Sequence, residues 1–70
     1  MDAYTVPING VQVIVVPDDD AEAQNVPPGI LKMLGPDVTL MSNDSRRCYM
    51  RKTHWENMKA SFKFNKVGET

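Results

Sequence analysis

Apolar and polar residues alternate along this chain at two different periods, and the changes of period mark its elements. Tyr4-Thr5-Val6-Pro7-Ile8 and Val11-Gln12-Val13-Ile14-Val15-Val16 are β-rich runs separated by Asn9-Gly10. Asn-Gly between such runs is a strong hairpin signal, because a type I′ turn requires positive φ at both central positions. Strands are therefore expected at about 3–8 and 11–16. This register puts Tyr4, Val6, Ile8, Val11, Val13 and Val15 on a core face, with Thr5, Pro7, Gln12, Ile14 and Val16 on the other. Pro7 falls at a non-hydrogen-bonded position one step from the turn. Its missing N–H points out of the hairpin, so the first strand reads as a sheet edge. The second strand, almost wholly Val and Ile, reads as central and covered on both faces.

Residues 17–26 are polar, acidic and opened by Pro17, and they read as a solvated loop with one helical turn from Asp20 to Gln24. The acids lack the alternation, glycine and distant glutamate of a calcium loop. Pro28 at its start and Gly35-Pro36 at its end then delimit a short helix. Its Ile30, Leu31, Met33 and Leu34 cover too much of two turns to stay exposed, so a core plug across the sheet is expected. The alternative for these residues is an exposed Leu/Met recognition patch.

A second hairpin is expected over 37–52, with strands at 38–41 and 46–51 around the turn Ser42-Asn43-Asp44-Ser45. Alternation points Cys48 and Met50 inward and Arg47, Tyr49 and Arg51 outward. Thr53-His54-Trp55-Glu56 has the spacing of a capping box, with the Thr53 hydroxyl and the Glu56 carboxylate each accepting from the other residue's backbone N–H. The helix so opened is expected over 54–62, with Trp55, Met58 and Phe62 as its buried stripe and Asn57, Lys59, Ser61 and Lys63 in water. The elements spell ββαββα. This is a single small α+β domain over 1–64, with about four mostly antiparallel strands, two short helices on one face and a frayed tail over 65–70.

The size of the chain bears on how firmly such a domain can hold. At 70 residues, with 41% hydrophobic and 24% charged side chains, the chain has globular composition. A domain of this length buries only about 60% of its unfolded surface, so the core must be compact. The lone Cys48 excludes an intramolecular disulfide and suits a reducing, cytoplasmic setting. No apolar run approaches the roughly 20 residues of a membrane span, and Asp2 stands where a secretory signal carries positive charge.

Charge changes the picture more. Residues 1–44 hold seven acids and one base, a net −6, whereas 45–70 hold seven bases and two acids, a net +5. Such segregation can steer a polar partner or simply join the two halves.

Catalytic chemistry finds no support in the residue set. His54 is the only histidine and Cys48 the only cysteine, too few for a structural zinc site, and Cys48 lies on the packed face, where a thiol is inert. The four glycines mark turns and helix ends and form no phosphate loop. No enzyme, metal or cofactor is expected.

Binding remains. Arg47, Tyr49, Arg51, Lys52, Lys59 and Lys63 are the candidate contact residues. Arg and Tyr are enriched at protein hot spots, and an edge strand at 4–8 offers a second mode, including a homodimer. The leading expectation is a small accessory or inhibitor protein, of the size and economy seen in phage-encoded proteins, that binds a larger protein. The competing reading is a single-strand nucleic-acid binder, with Tyr49 stacking on a base and the arginines on phosphates. The net charge of −1 counts against that second reading.

Overall fold

The computed structural model describes the backbone of residues 2–68 and the side chains of residues 2–61. The chain forms strands β1 (Tyr4–Ile8) and β2 (Val11–Val16), a 3₁₀ turn (Asp20–Glu22), helix α1 (Pro28–Met33), strands β3 (Leu40–Met41) and β4 (Arg47–Arg51), and helix α2 (Lys52–Gly68). One four-stranded sheet has the order β1-β2-β4-β3.

The first hairpin forms as its sequence dictates. Asn9 and Gly10 have φ of 50° and 82°, the left-handed pair a type I′ turn needs. Tyr4 pairs with Val15 and Ile8 with Val11, which leaves Pro7 opposite Gln12 on the outer edge.

The sheet is mixed, contrary to the mostly antiparallel arrangement expected. Two hairpins do form, but they meet through β2 and β4, which run parallel from Gln12 beside Arg47 to Val16 beside Arg51. Parallel neighbours need a long crossover, and residues 17–46 supply one that carries α1 over the sheet. The second hairpin is also shorter than expected, because only Leu40 and Met41 pair with β4. Thr39 lies outside the ladder, with its Oγ1 3.3 Å from His54 Nε2.

The helices lie on opposite faces of the sheet, a second departure from expectation. On one face Val13, Val15, Cys48 and Met50 bury against Trp55 of α2, with Val6, Ile8 and Val11 around them. On the other, Val16 packs with Ala23, Val26 and Leu34, flanked by Ile14, Ile30, Leu31, Leu40 and Tyr49. Strand alternation is the cause. Ile14 and Val16 on β2 and Tyr49 on β4 make the second face apolar, and the crossover is the only connection long enough to cover it.

Helix α2 follows β4 without a loop and continues to Gly68, beyond the expected end at 62 and into the expected tail. No proline or glycine interrupts it before Gly68. The side chains of Phe62 and Lys63 lie outside the described ones.

Candidate interaction groove

The three consecutive aspartates after β2 each have a structural partner, and these contacts decide which basic side chains remain free. The Asp18 carboxylate accepts from the Thr53 backbone N–H at 3.2 Å and from the Thr53 hydroxyl at 2.5 Å. Asp19 accepts from the N–H of Ala21 and caps the 3₁₀ turn. Asp20 accepts from Arg51 at 2.6 Å. The expected solvated acidic loop is thus fastened down, with Ala23 and Val26 buried beneath it.

The capping box is replaced by this longer-range cap. Asp18 serves the first turn of α2, while Glu56 pairs with Lys59 at 2.7 Å one turn on. A carboxylate from another segment reaches Thr53, so Glu56 is released to its i+3 neighbour. The hydrogen bonds from Thr53 are the main reason the Asp18 carboxyl is held below its ordinary value. The Lys59 contact likewise lowers Glu56, and the same contact raises Lys59.

Arg51 is buried at 7% exposure, where alternation alone placed it in solvent. Its guanidinium donates to the Pro17 carbonyl at 2.7 Å, to Asp20 and to the Leu31 carbonyl at 3.3 Å. Alternation gave the correct face, but the crossover covers that face. Arg51 therefore staples the crossover to the sheet and supplies a donor to a carbonyl at the end of α1, which would otherwise lack an intrahelical partner.

The remaining candidates among the described residues do not converge on one surface. Lys52 lines an acidic depression with Asp2, Tyr4, Pro17, Asp18 and Glu22. Lys59 is engaged with Glu56. Arg47 and Tyr49 stay together, one exposed and one half-buried, and both line an open groove between α1 and the β3–β4 end of the sheet.

That groove is lined by Ile30, Met33, Leu40, Met41, Arg47 and Tyr49, with residues 42–44 at its end. Met33 and Met41 are 65% and 55% exposed, the two most exposed large apolar side chains among the described residues. Ile30, Leu31 and Leu34 form the expected plug, but Met33 does not join it. Leu40 and Tyr49 stay only partly buried beside this six-residue helix. Met33 belonged to the alternative of an exposed Leu/Met patch on this helix, and Met41 stood in no expected contact set. The signal for Met33 was present, since four apolar side chains in two turns exceed what one buried face can take.

The turn at the groove's end is held by its own hydrogen bonds. Ser45 adopts φ of 58° and its N–H donates to the Ser42 carbonyl at 3.0 Å. Asp44 accepts from the Ser42 hydroxyl at 2.6 Å and from the Arg46 N–H at 3.0 Å. Those bonds, with a smaller contribution from Arg47, hold its carboxyl below the ordinary value.

The β1 edge is guarded at both ends. Pro7 has no N–H to offer. One step before Tyr4, the Asn25 carboxamide accepts from the Ala3 N–H at 3.0 Å and donates to the Ala3 carbonyl at 3.2 Å, in the manner of a neighbouring strand. Both devices blunt strand addition.

Cys48 is buried, and desolvation pushes its thiol above the ordinary value, which disfavours the thiolate. Among the described residues, no group of three His, Cys, Asp or Glu side chains is placed to hold a metal ion. No helix among them is long and apolar enough to cross a membrane. No protein-family model, curated protein or solved structure matches the chain.

Proposed function

We propose that this chain is a small, non-enzymatic, intracellular protein-binding module, of the accessory or inhibitor kind, that holds a larger protein in the groove between α1 and the β3–β4 end of the sheet. The observation that carries this reading is the grouping of Met33, Tyr49 and Arg47 around one open groove, with Met41 at its rim. Methionine adapts to irregular apolar surfaces, and Tyr and Arg are the residues most enriched at protein hot spots. The contact set expected from sequence shrinks accordingly to Arg47 and Tyr49, joined by the two methionines.

The dispersal of positive charge favours a protein partner over a nucleic acid. A strand of phosphates needs a continuous basic track beside its stacking platform. Among the described residues, Arg51 is used inside the fold, Lys52 lies in a different depression and Lys59 pairs with Glu56, which leaves Arg47 as the one candidate base beside Tyr49. The guarded β1 edge likewise moves the contact away from the edge strand toward the groove.

The test is a nuclease-treated affinity capture from host cells, run in parallel with the wild-type chain, a Met33→Gln/Met41→Gln variant and a Lys52→Ala control, followed by reconstitution with the purified captured protein. The expected result is one larger protein bound directly by wild type and control but not by the double variant. A captured species that ignores the methionines, or that disappears with nuclease, overturns the reading.

A further inference from the structure

Resting on that reading, we propose that the groove takes a short segment of the partner protein that presents a carboxylate beside apolar side chains. Arg47 is exposed and forms no ion pair among the described residues, whereas Arg51 pairs with Asp20 and Lys59 with Glu56. The acid nearest to it in the turn, Asp44, is bound to the Ser42 hydroxyl and the Arg46 N–H through one carboxylate oxygen. Arg47 helps lower the Asp44 carboxyl, yet neither carboxylate oxygen of Asp44 occupies the Arg47 guanidinium fork. That fork matches a carboxylate in bidentate geometry.

The apolar requirement follows from the other walls. Leu40 and Tyr49 form one side and Ile30 and Met33 the other, with Met41 at the margin. An occupant must place apolar groups there to displace water, and flexible methionines accept more than one shape. A single cation next to an apolar trough selects one acid flanked by hydrophobic residues. It does not select a run of phosphates, which would place most of its charge over Met33, Leu40 and Ile30.

Selection of displayed random peptides on the immobilised full chain tests this directly, with affinities then measured by fluorescence anisotropy. The expected peptides pair Asp or Glu with a nearby Leu, Ile, Met or Phe. They should bind roughly tenfold or more weakly to Arg47→Glu, and Arg47→Gln should show an intermediate loss. Changing the peptide's acid to its amide should weaken binding to the wild type but make little further difference to Arg47→Gln. Peptides that bind in the groove, as judged by loss on Met33→Gln/Met41→Gln, but carry no acid and ignore Arg47 overturn this inference alone. Failure to enrich any peptide, binding insensitive to all groove variants, or Arg47-dependent binding of an oligothymidylate overturns both the inference and the protein-binding reading.

Discussion

The carboxylate of Asp18 accepts from both the backbone N–H and the hydroxyl of Thr53, and so the residue after β2's closing proline caps the helix that follows β4. Two segments 35 residues apart are joined at the point where β4 becomes α2. The contact also fixes one end of the crossover, which in turn forms a wall of the groove. Helix capping and groove geometry are therefore linked.

Replacing Asp18 by Ala removes the acceptor for both Thr53 donors, and a lost N-cap costs about 1 kcal/mol. The expected outcome is a lower midpoint in thermal or urea unfolding with unchanged secondary structure. Asp18→Asn, which keeps a carbonyl acceptor but loses the charge, should fall between the two.

The same contact makes stability pH-dependent in a defined direction. Asp18 has a folded value below its ordinary 3.8, so its contribution is complete above 3.8 and is lost as pH falls through the lower folded value. Asp44 and Glu56 shift in the same direction. The Asp18 share is therefore the difference between wild type and Asp18→Asn, and that difference should vanish in strong acid.

Arg51→Ala leaves the Pro17 and Leu31 carbonyls without their donor and releases Asp20, which is itself well exposed. The cost should be roughly 1–3 kcal/mol, from acceptors stripped of partners more than from a lost ion pair. Arg51→Lys should recover little of it, since one ammonium cannot span three acceptors set at a planar fork. Hydrogen exchange should report the loss first in the crossover, at residues 20–34.

Much of this architecture was legible in the sequence, and the parts that were not share one cause. The Asn9-Gly10 turn, the edge position of Pro7, the burial of Cys48 and Met50 and the bounds of α1 all depend on neighbours a few residues away. The parallel pairing of β2 with β4, the cap from Asp18 and the burial of Arg51 all depend on where the crossover lands. Alternation assigned Arg51 to the correct face but could not show that the face was covered. Thr53 and Glu56 have capping-box spacing, yet a better-placed acceptor arrived from a distant segment. Of the candidate site, Arg47 and Tyr49 were visible as outward neighbours on a strand. The exposure of Met33 and Met41 required knowing how far α1 reaches and how short β3 is.

The guarded edge makes a prediction of its own. Pro7→Val with Asn25→Ala restores an N–H at one end of β1 and frees both backbone groups of Ala3 at the other. This variant should self-associate at concentrations where the wild type does not associate through β1, as read by sedimentation velocity. Equal behaviour of the two chains would show that neither device matters.

The buried thiol should be silent in the native state. Cys48 is expected to react with a disulfide-exchange reagent only as fast as the fold opens, and fully in denaturant. Rapid labelling of the native chain at neutral pH would contradict its placement between the sheet and Trp55.

The most direct measurement for the groove is an NMR titration of the methionine ε-methyl groups with the reconstituted partner or a selected peptide. Met33 lines the groove from α1, and Met41 sits at its rim in the β3 position opposite Cys48, whereas Met50 is fully buried under α2 on the face away from α1. The groove reading predicts that the Met33 methyl signal shifts and saturates at one stoichiometry, with Met50 scarcely moving. A bound state in which Met33 keeps its free position while signals elsewhere shift would contradict it.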